Sequence, residues 1–358
     1  MTSSGRIVLF GATGYTGRLT AEAFVRRGAA PVLAGRNAES LNALASELGG
    51  LDVAIADVAD PASVAALVGD GGVLVSTVGP FARWGAPAVE AALAGGATYL
   101  DSTGEPAFVR RVFEEWGPRA ETPLLTAFGY DYLPGNLAAA VALDRAGDEA
   151  TRVDVGYFTT GKGGFSAGTF ASLTSGAPEG FAFRDGTVVD ERPSKHVRSF
   201  DVDGQERDAV SIGSSEHFTL PRIAPALRDV NAYLGWFGHL SRAVQAGSAV
   251  ADKVPGVEEA IRAFLKAIPK PAPGTGPDEE TRKRGGSHVV AIAYDAAGNA
   301  LAEARAVGVD GYTFTAEVLA WGAMHAGMID GKGALGPVEA FGLDAFRDGC
   351  ASAGITVA

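Results

Sequence analysis

The sequence holds a single cysteine, Cys350, so no internal disulfide can form, and no Cys/His cluster has the spacing of a zinc site. It also lacks a basic surplus. Thirty Lys and Arg stand against 42 Asp and Glu, a net charge of -12, which leaves little to displace counterions from nucleic-acid phosphates. No apolar run reaches the roughly 18 residues that would span a bilayer, and no leader-like segment precedes the first strand. A Ser-His-Asp order, an HExxH motif, a Walker lysine and the Tyr-x-x-x-Lys pair of short-chain dehydrogenases are missing too. The expectation from these absences is a cytoplasmic chain with no metal, no nucleic-acid partner and no transmembrane segment.

Glycine, by contrast, is abundant, and three of the 49 glycines carry a signal. The apolar run Arg6-Ile-Val-Leu-Phe10 passes directly into Gly11-Ala-Thr13-Gly14-Tyr15-Thr16-Gly17, ahead of a helix expected over Thr16–Arg27 and a strand over Pro31–Ala34. In such a turn the first glycine permits a tight exit from the strand. The second removes the side chain that would block a phosphate, and the third lets the helix pack on the sheet. The positive end of that helix faces the anion. Gly11, Thr13, Gly14, Tyr15, Thr16 and Gly17 are therefore candidate dinucleotide contacts.

The end of the second strand selects the dinucleotide. An NAD site usually places an acidic residue there to hold the ribose hydroxyls, whereas this chain has Gly35-Arg36-Asn37. A guanidinium pairs bidentately with a 2′-phosphate, so the expected cofactor is NADP(H), with Arg36 and Asn37 at its adenosine end. Asp57, at the end of a third strand over Val53–Ala56, is a candidate adenine contact or a plain cap.

Strand and helix keep alternating: helix Pro61–Val68, strand Val73–Ser76, helix Ala86–Ala94, strand Thr98–Asp101, helix Pro106–Trp116 and strand Leu124–Ala127. This order predicts an α/β fold with a doubly wound parallel sheet. The break Thr77-Val78-Gly79-Pro80-Phe81 falls at the carboxyl end of a strand, where open α/β sheets bind ligands, and is the expected nicotinamide site.

The segments GATGYTG, AGRN, STVGPFARWG, ATYLDSTGE and GYDYLPGN, in this order and spacing, resemble the saccharopine dehydrogenase-like oxidoreductases. Within them the chain is most similar to the branch of trans-acting enoyl reductases. Gly164-Phe-Ser166-Ala-Gly-Thr169-Phe-Ala-Ser172 resembles that branch's SGGT segment, and Gly311-Tyr-Thr-Phe-Thr-Ala-Glu317 its GY-x-x-TA segment. The resemblance implies a Rossmann domain over residues 1–133, an α+β substrate or dimerisation domain over 134–333, and a C-terminal helix near 334–358 that returns to the first domain. After a helix over Gly135–Arg145, strands are expected at Arg152–Phe158, Phe181–Val189 and His288–Ala293.

Candidate catalytic residues are Tyr130 and Asp131, which follow a strand end, and Tyr99. Phe81, His217, Ser166 and Thr169 are candidate substrate contacts, Ser166 as the cap of a helix whose N–H groups suit a carbonyl or enolate oxygen. A helix expected over Val230–Val244 would align Tyr233, Trp236, Phe237 and Leu240 as a core, interface or acyl-binding stripe. Arg282 and Arg284, in a polar loop over Pro269–Gly286, read as solvated charges or as contacts for an acidic substrate or carrier.

The function that unites these residues is NADPH-dependent hydride transfer to a conjugated C=C or a C=N bond of a small-molecule or acyl substrate, free or carrier-bound, in a monomer or homodimer. The alternative is a regulatory protein that senses NADP(H) without turning it over.

Overall fold

The computed structural model describes residues 5–69, 71–161, 164, 166–175, 180–236, 238–253, 272 and 274–358. Two sheets organise them. The first contains β1 (Ile7–Phe10), β2 (Val32–Gly35), β3 (Val53–Ile55), β4 (Val73–Ser76), β5 (Thr98–Asp101), β6 (Pro123–Leu125) and, from far along the chain, β15 (Gly333–Ala334). Its order is β15-β6-β5-β4-β1-β2-β3, every pair parallel, and it reverses direction between β1 and β4. Ligands of doubly wound sheets bind at such a switch point. Val, Leu and Ile fill these short strands because both faces are covered by helices α1 (Tyr15–Arg26), α2 (Ala38–Glu47), α3 (Pro61–Ala65), α4 (Phe81–Trp84), α5 (Ala86–Ala94) and α6 (Pro106–Arg111).

The second sheet is mixed. It runs β10 (Val197–Val202), β11 (Gln205–Ile212), β12 (Asp229–Leu234), β7 (Arg152–Thr160), β13 (Gly286–Tyr294), β14 (Ala300–Val309), β16 (Ile355–Val357). The hairpin β8 (Phe181–Arg184) and β9 (Thr187–Asp190) joins it at β12. Helix α7 (Leu133–Ala146) is buried from Leu133 through Leu143, so its sequence shows no polar face, and it covers β7, β13 and β14. Outside the sheets lie α8 (Ala167–Ser175), α9 (Glu216–Ile223), α10 (Ser241–Lys253), α11 (Glu279–Arg284), α12 (Gly311–Met324), α13 (Pro337–Phe341) and α14 (Leu343–Ser352).

The last part of the chain serves both sheets. Helix α12 packs along α1, where Glu317 accepts from Arg26 Nη2 at 2.7 Å and Arg27 Nε at 2.9 Å. Strand β15 then extends the first sheet while β16 ends on the second.

Two sequence expectations are corrected here. The helix expected over Val230–Val244 is instead strand β12, a short turn at Gly238–Leu240, and α10. Pairing with β7 and β11 overrides the helical spacing, and a Cβ on Gly235 would lie 2.2 Å from the Phe158 ring. Tyr233 is buried, Leu240 is exposed, and Phe237 lies outside the described residues. The single strand expected over Phe181–Val189 is the β8–β9 hairpin. It turns at Asp185-Gly186 with φ of +49° and +85°, the pattern for which Asp-Gly is favoured. Phe165, Pro269–Pro271 and Pro273 also lie outside the described residues. Among the described residues no helix is long and apolar enough to cross a membrane, and no cluster of His, Cys, Asp or Glu is arranged to hold a metal.

Candidate active site

The glycine turn has the shape its sequence implies. Gly11 has φ of +90°, and a Cβ on it would come within 2.8 Å of Thr77 Oγ1, because the ends of β1 and β4 abut. A Cβ on Gly17 would lie 2.1 Å from the Gly11 carbonyl oxygen, so only glycine lets α1 start this close to the strand end. Gly14 differs: an added Cβ would meet only the Gly11 oxygen, at 3.3 Å, and the outer side of the turn stays open. No acidic residue occupies the first turn of α1, leaving its positive end unneutralised. This cradle fits a dinucleotide pyrophosphate.

The neighbouring candidates follow the carboxyl ends of β2, β3 and β4. Arg36 is exposed at the end of β2 and makes no ion pair among the described residues, leaving its guanidinium free for a ribose phosphate. Asn37 caps α2, its Oδ1 accepting from Ser40 N at 2.9 Å, and Asp57 accepts from Ala59 N at 2.9 Å. Thr77 Oγ1 donates to the Phe10 and Gly11 carbonyls at 3.2 Å, tying the Thr77–Pro80 loop to the glycine turn. Beyond it, Glu105 accepts from Phe81 N and Ala82 N, both at 2.8 Å, and from Ser172 of α8 at 2.6 Å. Phe81 itself is buried against Phe108.

Between the two sheets lies a cleft of about 330 Å³, lined by Thr16 and Ser102 from the first domain and by Asp131, Thr169, Arg282 and Tyr312. Its size is that of a small-molecule site. Asp131 is the chemically distinctive wall. Its Oδ1 is buried with no hydrogen-bond partner, and burial pushes the carboxyl up to about 7. Tyr130 also lines the cleft, but its hydroxyl donates to the Phe158 carbonyl at 3.1 Å and its backbone N–H to Thr315 Oγ1 at 2.9 Å. Burial and the Asp131 carboxylate hold that phenol above its ordinary range.

Asp101, in contrast, is a clamp. It accepts from Thr103 N and Ala127 N at 2.9 Å and from Thr126 Oγ1 at 2.8 Å, joining the ends of β5 and β6, while burial raises it to about 6. Tyr99 is fully buried in the first core, away from the cleft lining. His217 is buried too, its Nδ1 against Ser214 and its ring on Phe181, and burial lowers it to about 4.

Ser166 caps α8 as its spacing implies, accepting from Thr169 N at 3.1 Å. Sequence reasoning missed its partner. Tyr312, at the start of α12, accepts from Ser166 N at 2.7 Å and pairs with Thr169 Oγ1 at 2.9 Å, with its ring edge-on to Tyr15 at 5.1 Å. Tyr312 sat within the quoted GY-x-x-TA segment, yet nothing local in the sequence ties that segment to residue 166.

Comparison with known proteins agrees with this architecture. The NAD(P)H-binding family matches residues 11–110. A Mycobacterium tuberculosis protein provisionally named as a trans-acting enoyl reductase is 29% identical, covering all of this chain and 98% of its own length. A trans-acting enoyl reductase of Mycobacterium ulcerans is 26% identical, covering 87% of this chain and 86% of its own. Among solved structures, apo saccharopine dehydrogenase (L-Glu forming) from Saccharomyces cerevisiae superposes with a TM-score of 0.55 at 14% identity over 99% of both chains.

The chain is thus an NAD(P)-binding oxidoreductase, its glycine cradle and the match of residues 11–110 fitting a nicotinamide dinucleotide. It is similar to the first of these relatives over all of its length and to the second over 87% of it, and it shares the fold of saccharopine dehydrogenase.

Proposed function

We propose that this protein reduces the conjugated C=C bond of an enoyl substrate, with Asp131 handling the proton. The observation that carries the proposal is the Asp131 carboxyl, half-buried in the cleft with Oδ1 unpartnered and raised to about 7. A carboxylic acid that stays protonated near neutrality and faces a ligand-sized space is suited to general acid catalysis, whereas a regulatory sensor has no use for one. NADPH, when bound, supplies the hydride. The β-carbon of the enoyl group takes that hydride, and the α-carbon takes a proton from Asp131 directly or through one water. Solvent then reprotonates the carboxylate.

Tyr130 is the weaker candidate because its hydroxyl proton is committed to the Phe158 carbonyl. Its ring instead packs edge-on to Tyr157 at 6.0 Å. The hydroxyl pair of Thr169 and Tyr312 in the cleft wall supports a role for both in holding the substrate carbonyl oxygen. The names of the relatives support an enoyl over an imine substrate.

The test is transfer of deuterium from C4-labelled NADPH to a panel of enoyl thioesters and imines. Label at the β-carbon of an enoyl product supports the proposal. Label found only in amine products would move the chemistry to C=N, and tight NADPH binding with no label anywhere would favour the sensor.

A further inference from the structure

The segment from Gly274 through Arg284 belongs to the second domain in sequence, yet it lies on the glycine turn of the first. A Cβ on Gly276 would be 2.7 Å from the Tyr15 ring, and one on Gly274 would be 3.6 Å from the Thr13 carbonyl oxygen. The Tyr15 hydroxyl donates to the Pro277 carbonyl, and Ala167 N of α8 donates to the Thr275 carbonyl at 2.9 Å. Arg282 completes the contact, its Nη1 donating to Tyr15 Oη at 3.0 Å and to the Pro277 carbonyl at 2.9 Å.

Those two partners are neutral, and Arg282 makes no ion pair among the described residues. The acids near it have closer partners than its guanidinium. Asp278 caps α11 by accepting from Thr281 N at 2.8 Å, Glu279 pairs with Lys283 at 2.8 Å, and Glu280 lies 3.7 Å from the same lysine. Asp310 caps α12, accepting from Tyr312 N at 2.9 Å. Arg282 is half-buried and lines the cleft beside Thr16. It is therefore a partly desolvated cation set against Tyr15, the first residue of α1, where the helix dipole is already positive. Two positive elements facing one another are unfavourable unless an anion sits between them.

We infer that Arg282 is a ligand of the cofactor pyrophosphate, contributed by the second domain to the anion that the glycine turn of the first domain binds. The inference rests on the NADP(H)-binding role of that turn. Its consequence is that cofactor binding fastens the 274–284 segment over the turn, so the substrate cleft is completed by the same contact that holds the dinucleotide. The polar loop that looks solvated in the sequence is then a clamp, and Gly276 is the position that lets it lie flat on Tyr15.

Binding of NADPH and of adenosine 2′-monophosphate, each measured by calorimetry on the full chain, tests this. The monophosphate carries the 2′-phosphate but no pyrophosphate. Arg282→Gln should raise the NADPH Kd roughly tenfold, the size expected for a lost charge-assisted hydrogen bond, and leave the monophosphate Kd within about twofold. Arg282→Lys should fall between, because it keeps the charge without the planar fork. An unchanged melting temperature in both variants shows that the fold is intact. An NADPH Kd unaltered by Arg282→Gln, with a raised KM for substrate, would overturn the inference and assign the arginine to a substrate anion. Failure of the unaltered protein to bind NADPH would instead overturn the cofactor role itself.

Discussion

The backbone N–H of Ser166 donates to the Tyr312 hydroxyl at 2.7 Å, so a side chain at the head of α12 satisfies the backbone at the head of α8. Two helices that are far apart in sequence are joined at the cleft by this bond. Tyr312→Phe removes the acceptor and leaves a part-buried N–H without its partner. A loss of about 1–2 kcal/mol in unfolding free energy is expected from denaturant titration, together with slower turnover of an enoyl substrate. Unchanged stability and turnover would reduce Tyr312 to a ring that packs on Tyr15.

The three glycines of the turn should respond differently to alanine. At Gly17 the new Cβ would sit 2.1 Å from a backbone oxygen that cannot move without shifting α1, so Gly17→Ala should destabilise the fold by about 2 kcal/mol or more. At Gly14 the only close atom is 3.3 Å away, so Gly14→Ala should keep its melting temperature and lose NADPH affinity. Calorimetry and thermal melting separate the two effects.

Arg36→Asp should shift preference from NADPH toward NADH, since a carboxylate at the end of β2 repels a 2′-phosphate and accepts from ribose hydroxyls. The ratio of the two dissociation constants is the readout, and an unaltered ratio would remove Arg36 from the cofactor site.

As the general acid, Asp131 acts in its protonated form, so turnover should decline as pH rises through about 7. Asp131→Asn should cut turnover by roughly a hundredfold and flatten that limb, with NADPH affinity preserved. A steep alkaline limb surviving in the variant would place the proton donor elsewhere.

Glu216 offers a stability test apart from catalysis. It is fully buried, accepts from the Tyr157 hydroxyl, and is raised by burial to about 7. Because its folded pKa lies above the roughly 4.3 of an unfolded glutamate, the folded state binds more protons between those values. Stability from this group is full below the unfolded value and is lost as pH rises through about 7. Glu216→Gln keeps an acceptor for Tyr157 and should flatten the fall in melting temperature between pH 5 and pH 8, roughly the window those pKa values define.

Local chemistry in the sequence was enough to determine the fold of the cofactor half of this protein. A β-branched strand, glycines at fixed offsets and an arginine two positions past a second strand act over a few residues, and each of those constraints is steric or electrostatic at short range. The parallel order of the first sheet followed from the same alternation. Tertiary structure alone decided the substrate half. It turned the Val230–Val244 segment into a strand by pairing it with β7 and β11, and placed His217 and Tyr99 in packed interiors. It also brought Asp131, Thr169, Arg282 and Tyr312, separated by up to 181 positions, around one cleft. Contacts between distant segments leave no periodic or spacing signal, because the energy that forms them lies in surfaces that meet only after both sheets are built.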